Sequence, residues 1–229
     1  MSKEILLKFL KKLRYKPNGT FYESLFIYNP KWNEPIPNMD EMFRWVEING
    51  HIQYLLAKNG ARKLKILDVG CGRGWLTNLL SKYGEVIGVE PDIKVTQYAK
   101  QLFPKITFYP SDFLSFNKCD NNYFDLVVSS EVIEHIEIND RNDFVLKMID
   151  ILIPLGYVII TTPRKEIEVE WIMNSGKPDQ PIENWFYESE LIQLFTSNGF
   201  VLTNQSTVKL PFLNISKDVY QTYLFQKSV

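Results

Sequence analysis

Short apolar runs alternate along this chain with stretches whose apolar residues return every three or four positions. The runs over 65–69, 85–89, 106–109, 124–129 and 157–162 predict five strands. Between them, 75–83, 93–102 and 140–152 carry helical spacing. A helix over about 39–58, with Asp40 near its start, precedes the first strand. Another spans 188–198 and meets Gly199, a residue suited to the left-handed turn that stops helices. Two final strands are expected over 200–207 and 219–226. Strands alternating with helices imply an α/β fold with a mostly parallel sheet, right-handed crossovers and helices on both faces.

Three stretches resist this pattern. Residues 2–14 read as a basic amphipathic helix, with Ile5, Leu6, Phe9, Leu10 and Leu13 on one face. Six basic residues against Glu4 precede Asn18, which suits either an anionic surface or a helix packed on the main domain with a solvated basic side. Residues 17–40 mix Pro17, Pro30, Pro35 and Pro37 with Phe21, Tyr22, Phe26, Tyr28 and Trp32, and are read as irregular. Residues 164–186, with Pro178 and Pro181, are read as a long loop. The division expected is an N-terminal helical and aromatic lid over 1–58, then a globular unit over 59–229.

Composition narrows the function. The 26 Lys and Arg nearly cancel the 27 Asp and Glu, so a large nucleic-acid footprint is not expected. Cys71 and Cys119 lack metal-site spacing and suggest no disulfide framework. No apolar run approaches the roughly 18 residues of a membrane span. Lys8, Lys11 and Lys12 break the apolar core a signal peptide needs. A cytoplasmic protein is expected; oligomeric state is not legible.

The central motif is Asp68-Val69-Gly70-Cys71-Gly72-Arg73-Gly74, directly after the first strand. Glycines there let the backbone approach a ligand at the carboxyl edge of the sheet, where open α/β sheets bind ligands. The spacing is G-x-G-x-G and differs from the G-x-G-x-x-G of dinucleotide sites. Glu90 closes the next strand, where a carboxylate can accept both hydroxyls of a ribose. Ser111-Asp112-Phe113 follows the third strand and can offer an acid and an aromatic face to an adenine.

Taken together, these residues resemble class I S-adenosylmethionine (SAM) dependent methyltransferases. Asp68–Gly74 is similar to their motif I, Glu90 to their motif II acid, and Asp112-Phe113 to their adenine step. Phe124-Asp125-Leu126-Val127 resembles their fourth-strand motif, and residues 152–157 their L-x-P-G-G turn, with Leu155 in place of the first glycine. The resemblance covers about 50–207 and implies a Rossmann-like seven-stranded sheet. It implies a SAM site of Asp68, Gly70, Cys71, Gly72, Glu90, Pro91, Ser111, Asp112, Phe113, Ser130 and Glu131, with S-adenosylhomocysteine as product. Arg44 lies where some quinone-type O-methyltransferases place an arginine on the methionyl carboxylate; otherwise it is a helix-surface arginine.

A second cluster, Ser129-Ser130-Glu131-Val132-Ile133-Glu134-His135, follows the fourth strand. If it opens a helix, Glu131, Glu134 and His135 share a face. Three readings stay open. His135, with Glu134 beside it, is a general base toward a hydroxyl, since an imidazole titrates near neutrality. Alternatively the three side chains hold a divalent metal. That spacing resembles small-RNA 2′-O-methyltransferases and some metal-dependent quinone O-methyltransferases. The RNA family adds a later histidine; here 180–186 occupies its place and contains none. In the third reading Glu134 and His135 only cap and pair locally. Thr161-Thr162-Pro163-Arg164 leads into the loop 164–186, whose Trp171 and Trp185 could join Tyr22, Tyr28 and Trp32 as a lid.

The function expected is O-methylation of a small molecule. The alternatives are a metal-dependent RNA 2′-O-methyltransferase, a nicotinamide oxidoreductase and a non-catalytic SAM-binding module. The oxidoreductase reading lacks a well-placed Tyr-x-x-x-Lys pair, which occurs only at Tyr54/Lys58 and Tyr223/Lys227.

Overall fold

The computed structural model describes residues 20–60, 62–178 and 180–228. The amphipathic stretch 2–14 lies outside these.

Seven strands form one sheet: β1 (Leu64–Val69), β2 (Gly84–Glu90), β3 (Thr107–Pro110), β4 (Phe124–Ser130), β5 (Leu152–Pro163), β6 (Phe200–Val208) and β7 (Tyr220–Lys227). Their order is β3-β2-β1-β4-β5-β7-β6. The first five are parallel to their neighbours, and β7 runs antiparallel to both β5 and β6. This is the Rossmann-like seven-stranded sheet that the motif order implied.

Side-chain alternation along the strands divides the core between two faces. Ile66, Leu126, Val128 and Ile159 point to one face, under α1 (Met39–Asn59) and α2 (Trp75–Leu80). Leu67, Val69, Val127 and Val158 point to the other, where α4 (Arg141–Ile151) supplies Phe144, Val145 and Met148. There α6 (Glu188–Ser197) adds Leu191 and Phe195. The remaining helices are α3 (Ile93–Leu102) and α5 (Glu168–Ser175).

Strand order reverses beside β1, so a crevice opens at the carboxyl ends of β1 and β4. Among the described residues no helix is long and apolar enough to cross a membrane.

The sequence reading needs three corrections. Residues 17–40 are not wholly irregular: Phe21–Glu23 forms a helical turn that continues as a π-helical turn over Ser24–Tyr28. Thr20 starts it by accepting the Glu23 amide at 3.1 Å. The loop 164–186 contains a 3-10 turn, Lys165–Ile167, and then α5. Glu168 and Glu170 in the first turn of α5 and Gly176 at its end were legible start and stop signals. Finally, β5 begins at Leu152, five residues before the expected start, because 152–156 stays extended apart from Leu155 at φ 63°.

Candidate functional site

The glycine turn is shaped by what crosses it. Gly70 has φ 69°, and a Cβ there would lie 2.4 Å from Val132 in the turn after β4. Gly72 has φ 51°, and its Cβ would meet the Phe26 ring at 3.1 Å. Only glycine accepts both the left-handed backbone and these approaches.

The turn is also clamped from outside. Arg73 is fully buried and forms a two-pronged ion pair with Glu41, at 2.6 and 2.7 Å. Its Nε donates to the Glu34 carbonyl at 2.6 Å. Glu41 simultaneously completes the capping box of α1 with Asn38. Arg73, the variable residue in a glycine motif, thus ties the turn to the chain that roofs it.

Two acids lie beside the glycine turn. Asp68 accepts the Thr77 hydroxyl at 2.6 Å. Glu90 accepts the Gly72 amide and the Asp92 amide, each at 3.1 Å. Burial raises both pKa values to about 7. Cys71 is buried, its thiol pushed up by burial with Asp68 and Glu90 adding to the effect. Pro91 is exposed beside Glu90. Ser111 bonds the Asp112 carbonyl at 2.8 Å, and Asp112 caps the following turn through the Leu114 amide at 2.7 Å. The Phe113 ring packs in the core, edge-on to Phe144 at 5.1 Å. Most of the ring is thus used for packing, whatever it offers an adenine.

The second cluster does not open a helix with three side chains on one face. Glu131 has φ 58°, and only Ile133–His135 forms a 3-10 turn. Glu131 is thus held apart from the turn that carries Glu134 and His135. Glu131 accepts the Thr161 hydroxyl at 2.8 Å, and Thr161 also bonds Ser130 at 2.8 Å. Glu134 accepts the Thr162 hydroxyl at 2.9 Å. Burial pushes Glu134 up to about 8 and Glu131 well above the carboxylate range, although Arg44 opposes the latter. The tandem threonines ending β5 are thus the partners of both acids.

Arg44 is buried and is no surface arginine. It lies 3.3 Å from Asp40, 3.8 Å from Glu131, and 5.1 Å from the centre of the Tyr220 ring. Burial alone lowers its pKa, but Glu131 and Asp40 more than offset that.

His135 is held at 2.7 Å from the Ile182 carbonyl through Nδ1. A carbonyl only accepts, so Nδ1 carries the proton and Nε2 of the neutral ring keeps a lone pair. Glu134 stands 3.6 Å from Nε2, and Glu183 stands 3.6 Å from Nδ1. Asn184 donates to the Glu134 carbonyl at 2.9 Å, while Arg141 bonds the Asn184 carbonyl at 3.1 Å. Residues 182–184 are therefore pinned onto the Glu134-His135 turn.

Glu183 falls within the stretch that sequence reasoning searched for a further histidine, and it was missed. Its Oε1 accepts the Trp185 indole N–H, and burial raises its pKa. Among the described residues no group of three or more His, Cys, Asp or Glu is arranged to hold a metal ion.

The five expected lid aromatics do not form one stack. The Tyr22 ring stacks parallel to Phe26, 6.3 Å between centres. Burial raises its pKa to about 12, with Glu90, Glu134 and Glu183 adding to the rise. Tyr28 is exposed, and Lys31 sits over Trp32 at 5.0 Å. Trp171 packs edge-on against Trp185 at 5.8 Å, and Trp185 joins a buried cluster with Ile167, Leu210 and Tyr220.

These acids set the pH response of stability. In the folded chain Asp68 and Glu90 hold protons up to about pH 7 and Glu134 up to about pH 8. The ordinary values are 3.8 and 4.5, so between these limits the folded state binds more protons than the unfolded state. Stability therefore falls as pH rises through that window. The thermal midpoint of the ligand-free protein is expected to drop by at least ~3 °C between about pH 6 and 8.5. Glu134→Gln should remove part of the drop. A midpoint that rises across this window contradicts the assignment.

A doubly wound sheet with a glycine turn after β1 and an acid closing β2 defines a nucleotide-type ligand crevice. A family model described as a methyltransferase domain matches residues 13–205, and the chain belongs to that family. The ubiquinone biosynthesis O-methyltransferase of Rickettsia canadensis (strain McKiel) is 32% identical over 167 residues, covering 65% of this chain and 69% of that protein. The mitochondrial ubiquinone biosynthesis O-methyltransferase of Bos taurus is 38% identical over 110 residues, covering 44% of this chain and 29% of that protein. The chain spans about a third of the length of several curated relatives that it matches.

Solved structures share the fold. A protein from Pyrococcus horikoshii OT3 superimposes with a TM-score of 0.70 at 20% identity, over 92% of this chain and 100% of that one. The N-methyltransferase NodS of Bradyrhizobium japonicum WM9, in complex with S-adenosyl-l-homocysteine, gives 0.66 at 18% identity, over 90% and 97%.

Proposed function

We propose that this protein transfers a methyl group from SAM to a hydroxyl of a small molecule. The observation that carries the reading is His135. Its proton is fixed on Nδ1 by Ile182, and its free Nε2 stands beside Glu134 at the end of β4. The relatives named as ubiquinone biosynthesis O-methyltransferases support an oxygen acceptor of small size.

The residues present fit SAM. Its cationic sulfonium suits a crevice in which Glu90 and Glu134 are buried, Glu131 is half-buried, and all three are held above their ordinary pKa values. Ionising such acids beside a cation is favourable. The Glu90 carboxylate accepts one amide on each oxygen and keeps lone pairs for two ribose hydroxyls. Gly70, Cys71 and Gly72 form the turn beneath. Pro91, Ser111, Asp112 and the Phe113 backbone border the adenine side, and Ser130 with Glu131 borders the methionyl side. Arg44 is already committed to Asp40, Glu131 and Tyr220 and acts on a ligand carboxylate only through its remaining N–H groups.

When bound, SAM supplies a methyl electrophile whose departure leaves the electron pair on sulfur, as S-adenosylhomocysteine. The protein's own work is alignment and proton removal. His135 Nε2 takes the acceptor proton, and Glu134, ionised once the sulfonium lies beside it, stabilises the imidazolium that forms. The Ile182 carbonyl holds the ring, and the segment 20–38 covers the crevice. A reducing compartment such as the cytoplasm suits the unpaired Cys71 and Cys119.

Calorimetry with S-adenosylhomocysteine should show saturable binding. Mass spectrometry should then show a single added methyl on a phenolic acceptor such as 3,4-dihydroxybenzoate. No heat with S-adenosylhomocysteine, with clear heat from NADH, would overturn the reading.

A further inference from the structure

The N-terminal turn places one hydroxyl where neither the glycine motif nor the β4 cluster can reach. Tyr22 comes from a segment that precedes the whole sheet. That segment is tied down at both ends. Glu23, itself buried, accepts the Lys94 ammonium at 2.9 Å, and Thr20 bonds Asp92. Further along, Arg73 clamps Glu41 and the carbonyls of Glu34 and Ile36.

Between these ties, Phe26 rests on Gly72 and the Tyr22 ring stacks on Phe26. The phenol reaches Gln180 Oε1 at 3.5 Å, two residues before the Ile182 carbonyl that holds His135. The Tyr22 ring thus lies one ring removed from the glycine turn, and its hydroxyl faces the strap that sets the imidazole.

We infer that Tyr22 is a further acceptor-binding residue, whose O–H bonds the oxygen that is to be methylated. This rests on the hydroxyl-transfer reading above. An acceptor hydroxyl has one proton and two lone pairs. Its proton points to His135 Nε2, one lone pair takes the Tyr22 O–H, and the second is left facing the methyl group. The three directions fix the oxygen in the attacking geometry. The contact with Gln180 is long for an O–H donor, so the phenol is free to exchange it for a closer partner. The same phenol stays protonated through the physiological range, because burial and the three surrounding carboxylates all disfavour its anion. It therefore donates and does not compete with His135 as a base.

The test is Tyr22→Phe with 3,4-dihydroxybenzoate as acceptor. Phenylalanine keeps the stack on Phe26 and removes only the oxygen. The expected result is a fall of about 3- to 10-fold in kcat/KM for the acceptor, the loss of one hydrogen bond to an uncharged group. The KM for SAM, the calorimetric affinity for S-adenosylhomocysteine and the thermal midpoint should stay close to those of the wild type. The lower limb of the pH–rate profile should keep its position. An unchanged kcat/KM for the acceptor overturns the inference. So does an equal loss of S-adenosylhomocysteine affinity, which would mark Tyr22 as mere roofing. If the wild type itself fails to methylate the probe while binding S-adenosylhomocysteine, the hydroxyl-transfer reading fails first and takes this one with it.

Discussion

Replacing His135 by alanine is expected to lower kcat by about 10²–10⁴-fold, the usual contribution of a positioned general base. Affinity for S-adenosylhomocysteine should stay within about threefold, since the ring bonds the Ile182 carbonyl and stands beside Glu134 and Glu183, none of them a residue of the glycine turn. The reason for so large an effect is the tautomer. With Nδ1–H committed to Ile182, the one lone pair of the neutral ring is on Nε2. Glutamine at this position can still donate to Ile182 but cannot take a proton, so His135→Gln should be as slow as alanine. Rates within tenfold of wild type in both variants, measured at saturating SAM, would remove His135 from the chemistry.

Glu90→Ala should weaken S-adenosylhomocysteine binding by about 10²–10³-fold. Two hydrogen bonds to a charged group, each contributing about 1.5–3 kcal/mol, are lost from the ribose, and partial relaxation reduces the sum. The Gly72 and Asp92 amides also lose their acceptor. Glu90→Gln separates the two effects. It keeps the volume and one acceptor oxygen, so the turn should hold and the affinity should fall by a smaller factor. Calorimetry on both variants, with thermal midpoints recorded alongside, decides the matter. Full affinity in the alanine variant would place the ribose elsewhere.

The donor side of this site was open to reading because its parts are local. Gly70, Gly72 and Glu90 each end or follow a strand of recognisable apolar pattern, and their spacing follows from the geometry of a βαβ unit. The acceptor side is made of contacts between distant segments. Thr162 holds Glu134 across neighbouring strands, Ile182 holds His135 from a strap 47 residues further on, and Tyr22 arrives from before the sheet. No periodicity encodes such meetings. Glu183 was overlooked because the search in its stretch was for an imidazole. Arg73 was overlooked because it occupies a variable place in its motif, and α5 because two flanking prolines outweighed its acidic first turn and terminal glycine.

The clamp of Arg73 on Glu41 couples two parts of the chain that the sheet itself does not join. The glycine turn and the segment above it hang from one buried guanidinium, with the Phe26 ring resting directly on the second glycine. Loosening that single anchor frees floor and ceiling together, so the two behave as one rigid piece.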